Sequence, residues 1–140
     1  IALIDGMHTF DCAVRDVENT LAHLGDDGVI VLHDCNPPDS DSAVSYDAWK
    51  SRGFRGVWSG DVWKAIVRLR STRKDLNVFV ADTDYGLGIV TRGDPDSMLR
   101  FSSPGEMNRL TYEDLAANRV EWLNLKPASC LAELCSDRRR

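Results

Sequence analysis

The chain has 140 residues, of which 43% are apolar and 28% charged, and its 17 Lys and Arg against 22 Asp and Glu give a formal net charge of −5. That is enough chain for one domain with a sizeable core. It is too acidic for a protein that grips a nucleic-acid backbone, and no apolar run approaches the roughly 20 residues of a membrane helix.

The elements follow in chain order. Residues 1–4 read as a short apolar strand. Phe10, Val14, Val17, Leu21 and Leu24 then recur in steps of 4, 3, 4 and 3, which lays one stripe along a helix over 10–24. Thr9 is its predicted N-cap, Asp11 puts a negative charge in the first turn, and Gly25 and Gly28 end the helix and turn the chain. Val29 to Leu32 is a second strand, too continuously apolar to be one-sided. Strand, helix and strand within residues 1–34 form a βαβ unit and predict an α/β domain with a parallel pair.

Residues 35–58 make a long connection or lid carrying Tyr46, Trp49, Phe54 and Trp58, with a short helix over 45–51. The segment 59–93 supplies a helix over 61–70 and two strands, 77–81 and 86–91, whose short link predicts an antiparallel hairpin. Residues 94–140 read as a helical tail. In it Thr111 and Asp114 form a capping box for a helix over 112–123, Leu110 and Leu115 a hydrophobic staple, and a last helix lies near 128–135. The basic run Arg138, Arg139 and Arg140 reads as solvated. Strand 1–4, apolar throughout, is expected to be interior, so that something which should cover it is missing from the list. Trp58, Trp63 and Trp122 are expected as core or rim anchors, and the glycines of Tyr85-Gly86-Leu87-Gly88 as close strand packing.

Two acidic clusters follow the carboxyl ends of the first two strands: Asp5 with His8, and His33 with Asp34. Ligands of open α/β sheets bind at such ends, and adjacent strands lie about 4.8 Å apart, so the two carboxylates can meet. Two carboxylates and an imidazole suit a divalent cation. The alternative is that the acids cap helices or loop amides and that His33 packs. No G-x-S-x-G elbow, H-E-x-x-H or P-loop is present. Four cysteines, Cys12, Cys35, Cys130 and Cys135, show no C-x-x-C spacing and no secretory leader is visible, which predicts reduced thiols in a cytoplasmic protein.

The run IDGMHTFDCAVRDVENTLAHLGDDGVIVLHDCNPP, followed by GDVWKAIVRLR, DTDYGLGIV and YEDLAANRVEWLNL, resembles the class I S-adenosylmethionine-dependent methyltransferases, in particular their small-molecule O-methyltransferase-like group. The resemblance implies the C-terminal half of a three-layer Rossmann-like sheet, with family strands 4, 5, 6 and 7 and an antiparallel last strand beside the fifth. The first three strands, with the glycine-rich cofactor loop, would then precede Ile1, and the chain alone would not methylate. Asp5, Gly6 and His8 would border S-adenosylmethionine. Asp5, His33 and Asp34 would hold Mg²⁺ or another divalent metal, with Asp5 and His8 catalytic and His8 the general base. Asn36, Tyr46, Trp49 and Trp58 would face a small-molecule hydroxyl acceptor, with no nucleic acid or membrane involved. The rival readings are a degenerate methyltransferase-like module that binds a partner or pairs with a second copy through the exposed strand edge, and a metal-dependent enzyme of another kind on the same fold.

Overall fold

A computed structural model describes residues 1–101 and 105–137; the Arg138–Arg140 run lies outside the described residues. The fold is α/β, a mixed open sheet of five strands flanked by helices. Its elements in chain order are β1 (Ala2–Ile4), α1 (Phe10–Leu21), β2 (Val29–Leu32), α2 (Tyr46–Ser51), α3 (Trp63–Thr72), β3 (Leu76–Asp82), β4 (Leu87–Arg92), α4 (Glu106–Arg109), α5 (Tyr112–Leu123), β5 (Leu125–Pro127) and α6 (Cys130–Asp137).

The strands lie in the order β1-β2-β4-β3-β5. β1 and β2 are parallel, with Leu3 opposite Val31, and β4 runs antiparallel to both β2 and β3. β5 closes the far edge parallel to β3. Side chains alternate between the two faces. Ile30, Leu32, Val78 and Val80 join the main core, where α1, α3 and α5 contribute Val17, Ile66 and Leu115. Val29, Phe79 and Ile89 face the other way and meet Leu131 and Leu134 of α6.

The predicted hairpin, the βαβ unit and the helix over 112–123 are all present. As expected, the apolar strand β1 lacks a cover: it pairs only with β2 among the described residues, and Leu3 is 68% exposed. Two expectations are corrected. The 94–140 segment is not wholly helical, because β5 adds a strand to the sheet. Helix α1 stops at Leu21, short of the last residue of its stripe. Leu24 instead tucks back under Gly28, where a Cβ would lie 2.1 Å from the Leu24 Cγ, and the Gly28 amide donates to the Gly25 carbonyl to form the turn.

Thr9 occupies the N-cap position of α1, but its side chain makes no capping bond. The acceptor comes from across the fold: Asp61, just ahead of α3, takes the Phe10 amide at 2.6 Å. The capping box of α5 forms as predicted, with Thr111 and Asp114 each accepting from the other's backbone amide. Trp63 is buried in the core and stacks on Trp122. Gly88 meets Cys35 Sγ and Ile66 Cδ1, the expected close packing. All four cysteines are free, and no helix is long and apolar enough to cross a membrane among the described residues.

Candidate functional site

The site sits at the carboxyl ends of β1 and β2. The chain leaves β1 at Asp5 and reaches His8 just before α1, while β2 runs out through His33 to Asp34. The His33 amide still donates to the Ile4 carbonyl, so the two exits stay in register. Asp34 adopts a left-handed backbone with φ 61°, which Asp tolerates better than most residues. The turn is held by the next two amides, Cys35 to the Gly86 carbonyl and Asn36 to that of Tyr85. Gly86 must be glycine here, since its φ is +87° and a Cβ would lie 2.5 Å from the Asn36 amide nitrogen.

These turns bring the sequence-predicted acids together. One donor atom each from Asp5, His8 and Asp34 lie within 4.8 Å of one another. His8 Nε2 stands 3.2 Å from Asp5 Oδ1 and 3.4 Å from Asp34 Oδ2. Asp34 is almost fully buried, whereas the Asp5 side chain is half exposed, so the cluster opens to solvent on the β1 side.

The other imidazole nitrogen decides what that arrangement can do. His8 Nδ1 lies 2.6 Å from the Trp58 carbonyl oxygen. A carbonyl only accepts, so Nδ1 carries a hydrogen. In the neutral ring Nε2 is then a lone pair aimed at two carboxylates. Such a lone pair beside two carboxylates is placed to accept a proton or a cation. The two carboxylate oxygens fit a divalent ion, with the imidazole nitrogen beside them as a third donor or as a base.

His33 is engaged on both sides. Its Nδ1 is 2.8 Å from Asp34 Oδ2, and its Nε2 is 3.2 Å from Asp84 Oδ2 in the β3–β4 turn. Burial works to lower its pKa, but the hydrogen bonds to Asp34 and Asp84 and the charges of Asp34 and Asp5 outweigh it and raise the pKa above the ordinary imidazole value. His33 thus stands behind Asp34, tied to two carboxylates, rather than in the Asp5–His8–Asp34 cluster.

The remaining predicted site residues divide. Gly6 is exposed and a Cβ there would make only ordinary contact, with Asp16 at 3.6 Å, so nothing steric demands a glycine. Asn36 is committed to the scaffold: its amide donates to Asp82 Oδ1 at 3.0 Å, and its oxygen accepts from Arg119 on α5. Tyr46, Trp49 and Trp58 form an aromatic ladder that ends on His8. Trp49 stacks on Trp58 at 4.7 Å and 11°, and Trp58 on His8 at 5.2 Å and 24°. Phe54 closes the far end against Trp49. A cavity of about 370 Å³ is lined by His8, Tyr46, Asp61, Lys64, Thr111 and Tyr112 among others. Of the four predicted acceptor residues, Tyr46 alone lines it.

Sequence reasoning missed two members of the site. Ser59, fully buried, donates its hydroxyl to Asp34 Oδ1 at 2.8 Å. The Trp58 carbonyl orients His8. Neither has a local signature, since one is a lone serine in a loop and the other a backbone atom. Asp84, the carboxylate on His33, lies in the short link of the predicted hairpin, where nothing local ties it to the site. No protein-family model, curated protein sequence or solved structure matches the chain.

Proposed function

We propose that this chain forms the C-terminal half of a class I S-adenosylmethionine-dependent methyltransferase domain that acts on a small-molecule hydroxyl with the help of a divalent cation. The observation that carries the reading is the convergence of Asp5, Asp34 and His8 Nε2 at the ends of two adjacent parallel strands, with Nδ1 committed to the Trp58 carbonyl. The ordered motifs of the sequence support it, and so does the strand order, in which a parallel pair is followed by an antiparallel strand inserted beside its second member.

Methyl transfer is an in-line displacement, and the protein's part is to hold an oxygen in place and remove its proton. Asp5 and Asp34 would hold the ion, which when bound supplies Lewis acidity to the acceptor hydroxyl. His8 Nε2 takes the proton. The resulting imidazolium is stabilised in place by both carboxylates and by the Trp58 carbonyl, so the base needs no rearrangement to become an acid. The aromatic ladder shields one face of the imidazole, and the cavity beside Tyr46 offers room for an acceptor.

The test has three arms. Mn²⁺ titration of the chain, followed by electron paramagnetic resonance, should show one site that is lost in Asp5→Asn and in Asp34→Asn. In the full-length gene product, His8→Ala should keep the ion but slow methyl transfer by about 100-fold or more. Calorimetry of this chain with S-adenosylmethionine should give a Kd weaker than about 100 μM, roughly 5.5 kcal/mol. Absence of any ion site, or full turnover in His8→Ala, defeats the reading. The exposed Leu3 on the unpaired edge of β1 favours a second property, pairing of two copies through that edge. Light scattering that finds only monomers at high concentration excludes it.

A further inference from the structure

The loop that returns from α2 to α3 touches the site at consecutive residues, each in a different way. The Trp58 carbonyl accepts from His8 Nδ1 at 2.6 Å. The Ser59 hydroxyl donates to Asp34 Oδ1 at 2.8 Å, leaving Oδ2 toward His8 and His33. Gly60 then lies so close to His8 that a Cβ would stand 1.9 Å from the His8 carbonyl oxygen, and its φ of +58° also suits glycine. The segment is pinned from behind as well: the Ser59 and Gly60 amides both donate to the Ser42 carbonyl, at 2.9 and 3.0 Å. Ser42 is itself buried and held by Asp39.

We propose that the Trp58–Ser59 peptide is the positioning element of this site, fixing His8 as the Nδ1–H tautomer through the Trp58 carbonyl and fixing the Asp34 carboxylate through the Ser59 hydroxyl. The effect on an ion rests on the reading given above; the effect on His8 rests on geometry alone. A neutral imidazole in water distributes its hydrogen between the two nitrogens, and the hydrogen bond made by one nitrogen decides which state the other presents. Without the Trp58 carbonyl, Nε2 would place its hydrogen against Asp5 or Asp34, and the lone pair that the site needs would face away. Ser59 acts on the other partner. A carboxylate whose one oxygen is tied down presents the second in a single direction, and loss of such a support typically weakens ion binding about 10–100-fold.

Nitrogen-15 NMR of the ring nitrogens tests the first half on the unmodified chain. It is recorded as the pH is raised until the ring-nitrogen signals themselves show the neutral imidazole. The chain has three histidines, and the His8 signals are those missing from His8→Gln. The proposal requires a protonated Nδ1 and a bare Nε2 in His8. A predominant Nε2–H form, or an even mixture, overturns it. For the second half, Ser59→Ala, assayed below its own unfolding transition, should weaken Mn²⁺ binding about 10–100-fold, and Ser59→Thr should restore most of it. Undiminished affinity in Ser59→Ala overturns the role of Ser59. If the unmodified chain takes up no Mn²⁺, the metal reading fails, and the His8 tautomer still decides the positioning role.

Discussion

Asp61 joins α1 to α3, and its removal tests whether a side chain 51 residues away holds the helix that begins just after His8. In Asp61→Ala the Phe10 amide loses its 2.6 Å acceptor and the weak 3.7 Å pairing with Lys64 disappears. A hydrogen bond to a charged group contributes about 1.5–3 kcal/mol, and loss of an N-cap costs about 0.5–2 kcal/mol. The Asp61 side chain is 38% exposed, so water can take over part of the amide's bond, and the lower part of that range applies, about 1–2 kcal/mol. The ion pair adds little at such exposure. With an unfolding entropy near 2.1 cal/mol/K per residue, a loss of about 1.5 kcal/mol lowers Tm by about 5 °C in a chain of this length. Urea unfolding and calorimetry measure both quantities. Asp61→Asn keeps an acceptor oxygen and should lose less than half as much. An Asp61→Ala protein within about 0.3 kcal/mol of the parent would show that the cap contributes nothing, and that α1 is fixed by its apolar stripe alone.

Two further outcomes follow from other titratable groups. The hydrogen bond from Arg73 lowers the Asp75 pKa from 3.8 to about 2, and Asp75 is 57% exposed. Because the folded-state value is the lower one, its contribution is complete above the ordinary carboxylate range and is lost as pH falls through about 2. Asp75→Asn should therefore be less stable than the parent at pH 5, by less than about 1 kcal/mol at such exposure, with the difference closing toward pH 2; an equal difference at both pH values in urea titrations contradicts the pairing. Among the thiols, Cys35 is buried against the Leu32 carbonyl and burial pushes its pKa far up, whereas Cys135 is exposed. A thiol reagent should label Cys135 rapidly in the folded protein and Cys35 only on unfolding; early labelling of Cys35, read by peptide mass, would mean that the β2 exit opens readily.

What was legible in the sequence was what local pattern encodes. VIVL announces β2 because a strand covered on both faces has no polar alternation to keep. Thr111 and Asp114 announce α5 because a capping box is closed within four residues. Asp5 and Asp34 could be paired because both follow parallel strands, and strand ends determine where side chains go. The parts that stayed hidden depend on distant chain. β5 has three residues and exists because β3 offers it an edge. Thr9 is a sound N-cap by type, yet its side chain makes no capping bond, and the first helical amide, that of Phe10, is taken by Asp61 from distant chain. Ser59 reaches Asp34 only because Ser42 holds the loop in place.

The position of β4 between two antiparallel neighbours has a consequence for how the molecule breathes. The β3–β4 hairpin is built from nearby chain and buries Ile89 and Val90 on opposite faces, so its amides should be the slowest to exchange with solvent deuterium. The three residues of β1 hang from β2 alone and reach it through the whole of α1, so they should exchange first. The two acids of the site therefore belong to parts of unequal durability: Asp34 is carried by the stable centre and Asp5 by the fraying margin. An ion gripping both would lend the margin the protection of the centre, and slowed exchange at Leu3 and Ile4 on adding a divalent cation would be its visible trace.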